Sequence, residues 1–363
     1  MKVLHVEAGR HLYGGAQQVL YLLEGLAQRG VANVLACPPG SAVAHHAAPY
    51  AEVVPLPMRG DADLAIIARL RRVIRRHAPD IVHLHSRRGA DVLGGLAARL
   101  AGVPCVLSRR VDNPESRAWV ALKYRLYDHV VTISEGIREV LLDEGLAPER
   151  VSCVHSAVDP GPWRGPCDRV LFRREFGLPA DGPVAAMIAQ FIPRKGHRFL
   201  LAALPEVLAS HPDLQILLFG KGPLVPEVEA AIAAQALSGH VHLAGFRDDL
   251  GRWMGCLDLV VHPAEMEGLG VSLLQAAAAG VPTIAARAGG MPEVVEDGGN
   301  GLLITPGDVH ALAAAMQRLL DDAALRVAMG RRGRERVDQR FSPQAMVEGN
   351  LAVYRRVLGP AAP

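Results

Sequence analysis

Lysine is scarce in this chain of 363 residues: Lys2, Lys123, Lys195 and Lys221 are the whole set, so each stands out as a point-charge ligand for phosphate. Cysteine is equally thin. Cys37, Cys105, Cys153, Cys167 and Cys256 are odd in number and lack CxxC spacing, which speaks against a disulfide framework and a zinc site and fits a reducing cytoplasm. Gly, Pro or Gln interrupts every apolar run before the roughly 20 residues a spanning helix needs, which argues against an integral membrane protein. The opening MKVLHVEAGR reads as a strand and not as a signal peptide. Low-complexity tracts and short-period repeats are missing too.

What is present is ordinary and globular. Half the residues are hydrophobic, and the length suffices for a substantial core and for two domains. The net charge of +2 hides an asymmetry: residues 1–165 hold 20 basic and 16 acidic side chains, the remainder 19 and 21. Runs such as KVLHV, NVLAC, EVVPL, IVHLH, CVLS and HVVTIS, then VAAMIAQ, QILLFG, VHLAG, LVVHPA, PTIAA and GLLIT, alternate with helical patterns. That alternation is the mark of parallel sheets with crossover helices. The Pro- and Gly-rich DPGPWRGPC, residues 159–167, reads as a linker. From Asp308 onward the patterns are helical, with Ser342 and Pro343 as a helix start. The expectation is an α/β chain of two facing, doubly wound domains, 1–163 and 168–340, with residues 341–363 as a C-terminal helix.

Open α/β sheets bind ligands at the carboxyl ends of their strands, where helix N-termini present free N–H groups and partial positive charge. Two glycine-bearing loops end a strand and open a helix here, GRHLYGGAQQV and EMEGLGV. Neither meets the GxGxxG fingerprint with a following acid, so a dinucleotide site is not indicated. A diphosphate is the natural guest, although any tight strand-to-helix turn also favours glycine.

The segment PAEMEGLGVSLLQAAAAGVPTIAARAGGMPEVVEDGGNGLLI resembles the donor-binding segment of the family 4 retaining glycosyltransferases, which have the GT-B fold of two Rossmann-like domains. GGAQQVLYLLEGLAQRG, DHVVTISEGIREVLL, FIPRKGHRFLLAAL, GKGP and VHLAGFRDD extend the likeness over nearly the whole chain. The resemblance implies that Glu267 holds donor-sugar hydroxyls and that Gly268, Leu269, Gly270 and Val271 bring backbone N–H groups to the diphosphate. The family's second acid, eight positions on, is Gln275 here. An amide offers one acceptor and donors where a carboxylate offers charged acceptors, so Gln275 can still bridge a ribose diol, more weakly. The family's clamp of an Arg and a Lys five apart reads Gln190 and Lys195. Arg194 either supplies the missing charge or is a solvated surface residue. Gly222 and Phe246 fall on further donor-side positions, and Gly14 and Gly15 match a diglycine loop that closes on diphosphate and acceptor.

Where the family often has a histidine after the CVLS strand, this chain has Arg109 and Arg110; acceptor contact and a structural salt bridge are both open. His83 and His85 share one face of a strand, but with no third ligand the hydrogen-bonded core reading outweighs a metal site. The basic run ARLRRVIRRHAP, residues 68–79, is a solvated face or an attraction for anionic lipid. Taken together, the resemblance implies a retaining transferase for a UDP- or GDP-sugar and a glycan or glycolipid acceptor, at the cytoplasmic membrane face, with no cofactor, no metal and no nucleic acid. A nucleotide-sugar-binding pseudoenzyme or partner subunit is the alternative, raised by Gln190 and Gln275. An epimerase or phosphorylase falls behind both, because neither an acid/base set nor a cofactor lysine in a much longer chain is visible.

Overall fold

The computed structural model describes residues 1–12, 14–85 and 90–359. It divides into two units, Met1–Ala157 with Pro343–Pro363, and Val158–Ser342. Among the described residues the first unit carries a parallel sheet of β1 (Lys2–Val6), β2 (Ala32–Cys37), β3 (Glu52–Pro55), β4 (Ile81–Leu84), β5 (Cys105–Arg109), β6 (His129–Thr132) and β7 (Val151–Cys153), in the order β3-β2-β1-β4-β5-β6-β7. The second unit carries β8 (Val184–Ile188), β9 (Gln215–Phe219), β10 (Val241–Gly245), β11 (Leu259–His262), β12 (Thr283–Ala286) and β13 (Gly301–Ile304), in the order β10-β9-β8-β11-β12-β13. Both orders reverse direction beside the first strand of the unit, the topological switch point at which α/β sheets place ligands.

The strands are short and those inside each sheet are buried on both faces, as parallel strands covered by crossover helices must be, while the edge strands β3 and β10 are largely open. In the first unit, Ile66, Leu70, Val73 and Ile74 of the helix Ala65–His77 pack on Leu4, Val82, Leu84 and Leu107 of the sheet. The other face is closed by the C-terminal helix Pro343–Leu358, whose Val347, Leu351 and Tyr354 join Leu22, Leu26, Val106 and Val131. In the second unit the helix Val271–Ala279 is alanine-rich because another helix presses on it closely. Gly333 of Ala323–Arg340 leaves room for the Ala277 backbone, and a Cβ on Gly330 would run into the Gly280 carbonyl oxygen. Arg334 donates to Ala279 O at 2.6 Å, placing a cation at that helix's C-terminus.

Two expectations need correcting here. The residues read as a linker belong to the second unit, where Trp163 packs beside Trp253 and Phe172, and Arg164 pairs with Asp338 at 2.7 Å. Cys167 and Cys256 are joined in a disulfide, where the cysteine pattern spoke against a disulfide framework; Cys37, Cys105 and Cys153 are free. The pair lies 89 residues apart in sequence and becomes adjacent only once this segment folds back on the second unit. Among the described residues no helix is long and apolar enough to cross a membrane.

Candidate functional site

In the second unit the loops after β8 and β11 are held against each other by backbone. Gly196 has φ +79°, and a Cβ there would collide with the Pro263 carbonyl oxygen. Only glycine permits that approach. Glu265 N–H donates to Arg194 O at 2.9 Å, a second tie between the same loops. The result is a compact charge cluster. Lys195 Nζ meets Glu267 Oε2 at 2.5 Å, and His262 Nε2, from the last residue of β11, meets the same oxygen at 2.9 Å. Glu267 Oε1 has no partner among the described residues. Burial alone would raise the Glu267 carboxyl; the His262 hydrogen bond and the charges of His262 and Lys195 outweigh it and hold the pKa at about 2. A fixed carboxylate with one open oxygen is suited to accepting hydroxyl protons.

The turn after Glu267 leads into the helix N-terminus. Gly268 is half-buried, Leu269 fills the core, and Gly270, at φ +93°, precedes Val271, the first residue of Val271–Ala279. Gln275 stands one turn further on, half-buried, its amide without a partner among the described residues. At the ends of β9 and β10, Gly222 packs on the Phe191 backbone, and the Phe246 ring, 55% exposed, lies 4.8 Å from Lys221 Nζ. Gln190 is exposed and Arg194 half-buried; neither side chain is bonded to a described residue. Of the acidic pair after Phe246, Asp249 is a structural clamp. It accepts both Arg247 Nε and Nη2 at 2.7 Å and Trp253 Nε1 at 2.9 Å, and the Arg247 bond is the main reason its pKa falls to about 2.

Sequence reasoning missed His262 and His197. The available signal was a histidine closing the LVVH strand five residues before Glu267, and the KGH triplet after Lys195. His197 stacks on Phe191 with ring centroids 4.3 Å apart, and burial, helped by the charges of His262 and Lys195, lowers its pKa to about 4.

In the first unit the structure separates two neighbours treated alike. Arg109 is buried and bound to Glu115, to Tyr124 Oη and to the Val111 and Asn113 carbonyls, while Lys123 meets Glu115 at 3.0 Å and Asp91 at 3.1 Å. Of the two readings left open for Arg109, these bonds form the structural salt bridge. Its guanidinium holds the turn after β5 together. Arg110 makes none of these bonds and runs beside the glycine loop, Cδ 3.6 Å from where a Cβ on Gly15 would sit. Gly14 and Gly15 begin the helix Gly14–Ala27; Tyr13, in the same loop, lies outside the described residues.

The histidine pair also has a third member. Pairing of β1 with β4 sets His5 opposite His83, and His5, His83 and His85 each bring a nitrogen within 4.8 Å of the others. The rings are arranged as a hydrogen-bonded set. His83 meets Tyr354 Oη at 2.6 Å and Ser108 Oγ at 2.8 Å, and His5 meets His85 at 3.0 Å and Asn33 at 3.3 Å. Burial keeps all three neutral, His5 with a pKa of about 4.

The description "Glycosyl transferases group 1" matches residues 168–336 and "Glycosyltransferase Family 4" matches residues 13–161. The 2-deoxystreptamine glucosyltransferase of Streptomyces kanamyceticus is 31% identical over 317 residues, 81% of this chain and 82% of that protein. The chain belongs to the family 4, group 1 glycosyltransferases. The lipopolysaccharide core biosynthesis glycosyltransferase LpsE of Rhizobium meliloti (strain 1021) is 26% identical to this glycosyltransferase over 97% of its length and 98% of LpsE. Anabaena HepE, solved in complex with UDP and glucose, superposes with a TM-score of 0.83 at 22% identity, covering 97% of this glycosyltransferase and 99% of HepE. The likeness shows the GT-B fold in this family 4 chain.

Proposed function

We propose that this chain moves a hexose or related sugar from a UDP- or GDP-sugar to a hydroxyl of a growing cell-surface glycan, such as lipopolysaccharide or a lipid-linked saccharide, with retention of configuration and without a metal. The observation that carries the reading is the Lys195–Glu267–His262 cluster beside the N-terminus of Val271–Ala279. In this scheme the helix N–H groups and Lys195 stabilise charge on the departing diphosphate. Glu267 Oε1 receives sugar hydroxyls, and Gln275 the ribose diol. The exposed Phe246 ring offers a stacking surface for the base, and Gly222, packed on the Phe191 backbone, shapes the donor-side loop after β9. Arg194 adds positive charge at the same loop and Gln190 a neutral contact. Relatives named for glucosyl transfer and lipopolysaccharide core synthesis support the class of reaction.

Contact with an anionic membrane belongs to the same proposal, at the cytoplasmic face. The helix Ala65–His77 exposes Arg72, Arg75 and Arg76 and packs on Asp91–Ala101, while Leu100 of that helix and Trp119 and Leu122 of Arg117–Lys123 are large apolar side chains left 52%, 42% and 60% exposed. Each well-placed cation contributes about 1 kcal/mol to such docking. Sedimentation with anionic vesicles at low salt, abolished at high salt, is the expected result; no sedimentation at low salt removes the membrane from the account.

The neutral Gln190 and Gln275 favour one competing reading, a binder of nucleotide sugars without turnover. Incubation with UDP-, GDP-, ADP- and CMP-sugars, following release of free nucleotide with and without a glycan acceptor, separates the two. Release from a UDP- or GDP-sugar is expected. Binding without release in every case identifies the inert binder.

A further inference from the structure

Most of the charge at the carboxyl end of β5 is compensated within the fold: Arg109 and Lys123 are matched by Glu115 and Asp91. Arg110 is not. No hydrogen bond or ion pair reaches its side chain from a described residue, and its Nε is closed off from solvent without a partner. Burial lowers its pKa, and only the nearby Glu7 works in the other direction. Glu7 itself accepts the Gly9 N–H at 2.7 Å. A guanidinium held this way is unfavourable until an anion with good geometry meets it.

Space for such an anion adjoins it. A cavity of about 110 Å³, several times the 10–15 Å³ or so that one water needs, is walled by Arg110, His85 and Ser108; the carboxylates on its wall, Asp91 and Glu115, are already paired with Lys123 and Arg109. His85 is 3% exposed; its Nε2 donates to His5 Nδ1, since His5 Nε2 must donate to the Asn33 carbonyl oxygen, so the unpartnered Nδ1 of this neutral ring is an acceptor, fit for a ligand hydroxyl and not for the anion itself. Arg110 also runs against the first turn of Gly14–Ala27, whose free N–H groups carry partial positive charge. An unpaired guanidinium for the anion, an acceptor nitrogen for a neighbouring hydroxyl and an open cavity thus lie in one place in the first unit.

We propose that this cavity is a subsite for a phosphate or carboxylate carried by the acceptor, with Arg110 as its recognition residue. The word acceptor rests on the transferase reading above; the anion site itself does not. The acceptor is then an acidic saccharide or a phosphorylated glycolipid.

Thermal unfolding in rising inorganic phosphate, with parallel titrations of UDP and GDP, tests this on wild type, Arg110→Gln and Arg110→Lys. Wild type should show a saturable rise in Tm with phosphate. Arg110→Gln should need at least about tenfold more phosphate, and Arg110→Lys should recover part of the response. Without ligand, Arg110→Gln should unfold no earlier than wild type, since it removes an unpaired charge, so a lost response will not be a folding defect. Affinity for UDP or GDP should change less than about threefold. The proposal is overturned if wild type shows no saturable phosphate response, or if Arg110→Gln keeps it. Equal loss of phosphate and nucleotide affinity overturns it too, because Arg110 would then serve the donor. Should wild type bind neither nucleotide, the transferase reading fails while the phosphate arm still decides the site.

Discussion

Glu267 has two oxygens, and among the described residues only one of them is engaged. Oε2 takes both Lys195 and His262, which fixes the carboxylate and leaves Oε1 for a ligand. Eight residues on, Gln275 stands where the family has an acid, and its free amide gives a neutral hydrogen bond of about 0.5–1.5 kcal/mol where a carboxylate gives about 1.5–3. Gln275→Glu is therefore expected to preserve donor affinity or tighten it up to about tenfold, measured by calorimetry; a large loss would show that the amide is specifically required. The buried histidines make a second residue-scale prediction. His5, His83, His85 and His197 are neutral in the folded chain, with His5 and His197 lowered to about 4 by burial, whereas unfolded histidine protonates near 6.5. Their folded pKa values are depressed, so stability is full above about pH 6.5 and falls as pH drops towards 4. Each ring contributes a slope of up to about 1.4 kcal/mol per pH unit in that window. Urea midpoints at pH 7, 5.5 and 4.5 should fall steeply, and less steeply in His5→Gln; a flat profile would contradict the neutral cluster.

At the scale of elements, the site depends on how closely two loops approach. Gly196 is the point of contact, and Gly196→Ala forces both a left-handed φ and a clash with the Pro263 carbonyl. A loss of more than about 1 kcal/mol of stability is expected, together with weakened nucleotide binding, because Lys195 moves with the loop. Unchanged binding would mean that the loop geometry does not set the cation's place. The elements themselves were largely legible: twelve of the strands follow from short Val-, Ile- and Leu-rich runs. β7 escaped because Val151–Cys153 is three residues long, too few for a period to register. Neighbours on one strand end were harder. Arg109 and Arg110 read as interchangeable cations, yet Glu115 and Tyr124 come from the following turn and helix, and they capture one and leave the other.

At the scale of the molecule, what the sequence hid is what only tertiary structure brings together. His5 joins His83 and His85 through the pairing of β1 with β4, and Cys167 meets Cys256 across 89 residues. His262 reaches Glu267 because a strand and the loop that follows it fold back on each other. The division into two Rossmann-like units was legible because alternating strand and helix patterns repeat in each half. The function assigned to the second unit rests on Lys195 and the helix N-terminus holding a nucleotide diphosphate. Calorimetric titration of UDP and GDP into wild type and Lys195→Ala tests that directly. One of the two should bind wild type, and the substitution should weaken it by about 10- to 150-fold, the equivalent of one charge-assisted contact of roughly 1.5–3 kcal/mol. Equal affinity in wild type and Lys195→Ala, or no binding of either nucleotide to wild type, would contradict the account.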